Sequence, residues 1–395
     1  MKKWIALLLA AVLCLGLAAC SSSTAGQSSP EVHQIGVIVY NTGDEEVISF
    51  REYLQGYIQS NFEMVRFVYS DSISTQEQEM AFIQNACDAG VEGFMSFRTF
   101  DLKAEVELCE KNGAYYMLAS GTVSDEEFDS VADNPWFLGM FGPGTDAEYK
   151  AGQDMARFFL KQKAGDSFFI LSGGAGTGNE MHYLRTLGML YELCASYGAS
   201  FGQPLETLAA SSAGVTVSDK GLTVTLCPGY LSNAATVETV SAMLTSASYD
   251  VVMSVIPPQD MVDLMNSRPL GIVDSYNTRN LQLFVSGQLD YLVGKYSSSI
   301  GPAFALMLNA VTGFAEEFRD NGRAVKIAQS FWTSDSLEDF TDKYALASST
   351  TVTAYNFRDL AKVCRIYNGT ATLAQLSALA RSSSYADAMV RRAAD

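Results

Sequence analysis

SFFILSGGAGTGNEMHYLRTLG, residues Ser167 to Gly188, opens with a short apolar run, Ser167 to Leu171, that ends in a glycine cluster. From Asn179 onward the apolar spacing turns helical, through Tyr183, Leu187, Leu190 and Tyr191. A buried parallel strand followed by a helix accounts for both halves. In open α/β sheets ligands collect outside the carboxyl ends of the strands, where such βα turns sit, and a helix N-terminus adds partial positive charge there. Arg185 falls within about two helical turns of that mouth. If its side chain faces a cleft, its removal would leave the fold intact.

Gly174, Gly176 and Gly178 invite a nucleotide-binding reading. GxGxG is not GxGxxG, however, and no Lys-Ser or Lys-Thr follows as in a phosphate-binding loop. A tight turn that needs positive φ and close backbone approach explains the glycines more simply.

The same alternation extends to both sides. Toward the N-terminus the pattern predicts strands at Ile35 to Tyr40, Met64 to Ser70, Val91 to Phe97, Ala114 to Ser120 and Trp136 to Phe141. Helices are predicted between them at Glu45 to Asn61, Ser74 to Ala89 and Asp101 to Asn112, with Gly90 and Gly113 as C-terminal stops. Gly142-Pro143-Gly144 breaks the rhythm before a helix, Asp146 to Lys163, and marks a crossing between lobes.

Toward the C-terminus, 201–220 reads as irregular. Strands then follow at Leu222 to Cys227, Val251 to Ile256, Gly271 to Asp274 and Leu289 to Tyr296, and helices at Ala234 to Ser246, around Met261 to Met265, and from Ile300 to Arg319. In the tail, Asn356 to Ile366 and Thr372 to Ala380 have helical spacing and Met389 to Asp395 looks frayed. Strands alternating with helices of 10–16 residues give right-handed βαβ units. The expected class is α/β, with two doubly wound parallel-sheet lobes.

Lys2 and Lys3 precede an apolar run, Trp4 to Leu17, that suits a signal peptide over 1–19 and is too short to span a bilayer. Leu17-Ala18-Ala19-Cys20 resembles the lipobox of bacterial lipoproteins, in which Cys20 becomes an S-diacylglyceryl N-terminus. Residues 20–33 then read as a flexible tether that holds the body off the membrane.

The chain of 395 residues has 26 Lys and Arg against 44 Asp and Glu, a net charge of −18, and loss of Lys2 and Lys3 makes it more negative. Such a surface repels phosphate backbones, which argues against nucleic acid as a partner. Seven cysteines contain no CxxC and no Cys/His ligand set, so no metal is expected. Five of them (Cys87, Cys109, Cys194, Cys227, Cys364) lie in the body and cannot all pair; Cys87 and Cys109 are candidate neighbours. His33 and His182 are the only histidines, and no HExxH, GxSxG or Ser/His/Asp set can be assembled around them. No enzyme and no cofactor are expected.

With the leader, two similar α/β lobes, and GGAGT followed by Arg185-x-x-Gly188, the chain resembles type I periplasmic binding proteins of the ribose-binding kind over about Gln34 to Phe331. The resemblance implies three hinge crossings, with lobe 1 at 34–143 plus 297–325 and lobe 2 at 144–296 plus 326–395, the latter carrying a C-terminal helical extension. It also implies a ligand in the cleft between the lobes. Carried over residue by residue, Arg185 matches the family's arginine and Asp274, in GIVDSY, its aspartate. Tyr230 stands where a stacking aromatic is expected. Asp44 and Glu46 replace the first loop's Asn and aromatics, Ser120-Gly121 replaces an Asp-Arg pair, and Lys295 stands before Ile300-Gly301 where a glutamine is usual. Trp136, near a strand end, is added as a cleft candidate. The substituted pocket is charged and suits a zwitterion, a sugar acid or an amino sugar. The implied partners are this small polar, sugar-like ligand, the permease subunits of an ABC importer, and the membrane through Cys20. A sensor docking on a membrane receptor or kinase is the alternative.

Overall fold

The computed structural model describes residues 32–246 and 248–394. The leader, the lipobox with Cys20 and the tether as far as residue 31 lie outside the described residues. The last tether position, His33, already belongs to a strand and sets its imidazole 2.9 Å from Glu92.

Thirteen strands are described: β1 His33–Val39, β2 Val65–Ser72, β3 Gly93–Ser96, β4 Tyr115–Leu118, β5 Phe137–Gly142, β6 Ser167–Gly173, β7 Val215–Asp219, β8 Leu222–Pro228, β9 Val251–Ser254, β10 Leu270–Ser275, β11 Tyr291–Lys295, β12 Val325–Ala328 and β13 Trp332–Ser334. They form two sheets, a six-stranded one ordered β12-β5-β4-β3-β1-β2 and a seven-stranded one ordered β13-β11-β10-β9-β6-β8-β7. The first is parallel throughout; the second is parallel except for its edge strands β7 and β13. Helices cover both faces of these sheets, so central strands such as Ile35 to Val39 are near-continuous apolar runs and not alternating ones.

Local chemistry sets the helix boundaries. Asp44 caps Glu45–Glu52, Asn179 caps Glu180–Tyr197, and Thr75 with Gln78 makes a capping box for Gln76–Asp88. The helices Gly144–Gln162 and Glu180–Tyr197 approach so closely that a Cβ on Gly152 would stand 1.9 Å from the Arg185 carbonyl, and one on Gly188 2.1 Å from that of Tyr149. Only glycine allows this contact.

Several segments differ from the sequence expectations. Within 201–220 lie a helix, Leu205–Ala209, and strand β7, joined to β8 by Lys220-Gly221 with positive φ at both residues (48° and 88°), which suits a tight hairpin. A helix at Thr278–Ser286, capped by Asn277, follows β10. The long helix from Gly301 stops being regular at Gly313, where φ is 91°. Its segment Ser297–Phe318 is apolar enough to cross a membrane on composition, but 78% of its apolar window is buried inside the protein. Strand β12 pairs with β5, so the first sheet continues to Ala328 rather than ending at 325.

The tail is ordered. Leu337–Ala347 packs beside Thr278–Ser286 and β13, whereas Phe357–Ala361 and Leu373–Arg381 pack on the buried helix Gly301–Asn309 that backs the first sheet. Tyr53 donates to the Tyr355 carbonyl at 2.8 Å, and Asn309 exchanges bonds with Val363 and Arg365. Thus part of 326–395 sits on the first lobe, not the second. Of Met389 to Asp395, expected to fray, the residues up to Ala393 belong to the helix Tyr385–Ala393, which has a Ser384/Asp387 capping box and whose Arg391 donates to the Ala354 carbonyl; Asp395 lies outside the described residues.

Three segments cross between the sheets: Gly142 to Gly144, Tyr296 to Ser297, and Gln329 to Phe331. Gln329 ties them together, its N–H to the Gly142 carbonyl at 2.7 Å and its side chain to the Ser299 carbonyl at 2.9 Å. Ser383 of the tail joins this knot. Its hydroxyl accepts from Ser330 N–H, and its carbonyl accepts from Tyr296 Oη and Trp332 Nε1, all within 3.0 Å.

Candidate functional site

Parallel strands send their carboxyl ends, and the loops that follow, to one edge of each sheet. In the first lobe these loops carry Tyr40 to Asp44 after β1, Arg98 after β3 and Ser120 after β4. In the second they carry the glycine loop after β6, Tyr230 after β8 and Gln259 after β9, beside Asp274 and Lys295 at the carboxyl ends of β10 and β11.

The two edges meet. Lys295 Nζ, almost buried, lies 3.2 Å from Glu46 Oε1 and 3.4 Å from the Ser120 carbonyl, so one cation of the second lobe holds two groups of the first. Ser120 thus contributes its carbonyl rather than its hydroxyl. Beside this contact stand Asp44 and Asp274. Asp44 accepts from the N–H of Glu46 and Val47 through Oδ1, and from the Tyr40 hydroxyl. Asp274 accepts through Oδ2 from Gln259 Nε2 at 2.8 Å, Asn280 Nδ2 at 2.7 Å and Asn277 Nδ2 at 3.1 Å.

Both carboxyls resist ionisation. Burial first, and the neighbouring Glu46 charge second, push Asp44 up to about 6. Burial likewise dominates for Asp274 and, with Asp44 and Glu46 nearby and despite the amide bonds, carries it to about 7. Burial and the same three carboxylates push the Tyr40 hydroxyl well above its usual value.

Arg185 has a different position from the one expected. Its Nε lies 2.5 Å from Glu148 Oε2 and its Nη1 3.2 Å from the Val255 carbonyl, with both side chains of the ion pair nearly buried between the two closely packed helices. It is a clamp within the second lobe. Trp136 is also displaced, since it precedes β5 and therefore sits at the opposite, amino end of the sheet, where its ring packs on Tyr115 at 4.9 Å. Tyr230 does face the site, with its hydroxyl accepting from Asn179 at 3.0 Å and its ring 5.6 Å from that of His182.

The glycine loop folds onto its own lobe. His182 Nδ1 accepts the Gly174 N–H at 2.9 Å, and a Cβ on Gly174 would meet Tyr230 Oη at 2.1 Å. This is the tight-turn reading, with the closest backbone approach made by a tyrosine rather than a phosphate. His182 is buried, and burial with the Arg185 and Lys295 charges holds its pKa well below the usual histidine value.

Sequence reasoning missed Tyr40, Arg98, Gln259 and Asn280 as site residues. Asn277 and Asn280, three apart at the start of the helix Thr278–Ser286, carried the clearest signal. Arg98 is exposed at the mouth, its guanidinium 3.7 Å above the Phe100 ring. Among the described residues no group of His, Cys, Asp and Glu is arranged to hold a metal ion, and all five cysteines, Cys87 and Cys109 included, are free.

Solute-binding proteins are among the solved structures with the same fold. An ABC transporter solute-binding protein from Bacillus halodurans C-125 with bound myo-inositol superposes with a TM-score of 0.58 at 16% identity, over 80% of this chain and 99% of that one. A carbohydrate transporter from Acidothermus cellulolyticus 11B in complex with myo-inositol gives 0.56 at 16% identity, over 81% and 99%. The periplasmic binding protein of the arabinose ABC transporter from Shewanella sp. ANA-3, bound to arabinofuranose, gives 0.53 at 12% identity, over 79% and 94%. No protein-family profile and no curated protein matches the chain.

Proposed function

We propose that the chain is an extracytoplasmic solute-binding lipoprotein of an ABC importer, which closes two lobes on a small polar, sugar-like ligand and presents it to the permease. The observation that carries this reading is the meeting of the two carboxyl edges: Glu46 and Ser120 of the first lobe share Lys295 of the second, with Asp44 and Asp274 alongside. Binding across such a cleft favours the closed form only through contacts that both lobes make with the ligand. The similar structures, each described with a sugar or cyclitol bound, support the ligand class. The polar groups are held by each other and by backbone, in a site without a nucleophile–base pair or metal set, which supports binding rather than catalysis.

The lipobox at Cys20 supports the anchor, since acyl chains at about 0.8 kcal/mol per buried CH₂ bind the bilayer without a spanning helix. Two measurements test the reading. Cys20→Ala should release the protein from washed membranes. In small-angle scattering a saturating ligand should make the soluble body more compact than the ligand-free form; an unchanged profile across the titration would refute lobe closure.

A further inference from the structure

The charges at the meeting edges do not balance. Asp44, Glu46 and Asp274 are three carboxyl groups served by one lysine, and Lys295 is directed to Glu46 and Ser120. The other cation expected in the cleft, Arg185, is consumed by Glu148. Arg98 lies over Phe100 at the mouth. A ligand with a negative group therefore finds carboxylates ahead of it and the interior cations already engaged.

Asp274 is nine-tenths buried, and its two oxygens differ. Oδ2 takes all three amide donors, from Gln259, Asn277 and Asn280, while no donor among the described residues meets Oδ1. Opposite stands Asp44, whose charge and that of Glu46 are both felt at Asp274. The helix Glu45–Glu52 that Asp44 caps contacts β10 across the lobes. Two hydrogen-bonded carboxyls, one per lobe, thus lie close enough to feel each other's charge, and among the described residues neither is ion-paired.

We propose that the ligand brings this cation: a protonated amino group on a polyhydroxylated carbon frame, seated between Asp44 and Asp274 so that each lobe holds it by one carboxylate. This inference rests on the solute-binding reading above. A neutral sugar would satisfy the acceptors but leave two close, desolvated carboxyl groups with no positive charge, whereas an ammonium supplies charge and donors together. The amine also bridges the lobes, which links recognition to closure.

The groups facing this site are Tyr40, Glu46 and Lys295, with Arg98 at its mouth, and binding should follow the ionisation of the two aspartates. An amine should bind more tightly as the pH rises from about 5 to about 7, as the carboxyls ionise. A neutral ligand held by protonated carboxyls would show the reverse.

The test is calorimetric and thermal-shift titration of the full soluble body with matched probes: D-glucosamine, D-glucose, myo-inositol, D-glucuronate, and magnesium or calcium chloride. Glucosamine should raise Tm and bind at least tenfold more tightly than glucose. Asp274→Asn and Asp44→Asn should each lose at least tenfold in that binding while keeping a cooperative unfolding transition. Equal or tighter binding of glucose or inositol, or binding of glucuronate alone, would overturn the proposal and leave the solute-binding reading standing. A shift with the metal salts alone would overturn it in favour of an ion site. Silence from every probe would also overturn it, and native mass spectrometry for a co-purified small molecule would then decide the solute-binding reading separately.

Discussion

Two ion pairs of similar chemistry lie within the second lobe and between the lobes, and they serve opposite ends. Arg185–Glu148 joins two helices of one lobe at a contact so tight that glycines are required on both sides. Lys295–Glu46 joins the end of a strand in the second lobe to a helix of the first. The first pair has nowhere to go when the lobes part. The second breaks as soon as they do. Residue type alone does not distinguish a buried structural charge from a movable one; the element opposite it does.

The largest effect should come from the immobile pair. Arg185→Ala leaves Glu148, already short of a partner at Oε1, buried and uncompensated, and should cost about 3–5 kcal/mol of stability. A drop in denaturation midpoint of that size, read by urea unfolding, would mark the arginine as structural; unchanged stability with weakened binding would restore it to the cleft. Replacing both partners with apolar residues of similar size should recover much of the loss.

Asp274 comes next. Its folded pKa is raised to about 7 from an unfolded value near 4, so the stability of the protonated form is fully present below about pH 4 and is lost as the pH rises through about 7. Asp274→Asn keeps an oxygen for the amide donors and should flatten this dependence, making the ligand-free variant more stable than the parent at pH about 8 by roughly 2–3 kcal/mol. Parallel pH profiles for the two proteins would contradict the shift.

Lys295→Met should cost less, about 1–3 kcal/mol, because its partners can return to water when the lobes separate. Its signature is geometric: scattering should show a more open ligand-free form, while the same measurement on Arg185→Ala at low denaturant should show none. Smallest of all, Tyr230→Phe removes one half-exposed bond to Asn179 and should change stability by about 0.5–1 kcal/mol, read as a Tm shift of a few degrees at most.

The fold was largely legible because its signals are local. Apolar runs bounded by glycine, and caps such as Asp44, Thr75 and Asn179, each fix one element without reference to the rest. What escaped had weaker local signals. The hairpin strand β7 hides in a Ser- and Gly-rich stretch, and the tail helices are short, with faces that make sense only against Gly301–Asn309. Site residues were half legible for the same reason. Position in a motif placed Asp274 and Lys295 at the strand ends where they stand. It could not show that Glu148, 37 positions earlier in the chain, would take Arg185, or that Trp136 precedes its strand at the far edge. Partner choice is a property of packing across the sequence.

The knot at Ser383 has a kinetic meaning. One tail residue accepts from Ser330, Tyr296 and Trp332, groups at two of the three crossings, and is itself fully buried. A hinge motion that twists Tyr296 against Trp332 must strain or exchange these bonds on the way, in both directions. Such a barrier lengthens the lives of the open and closed forms alike and leaves their ratio unchanged. In the proposed solute-binding role, the dwell time of a bound ligand would then be set partly by a serine near the end of the chain, outside the proposed pocket.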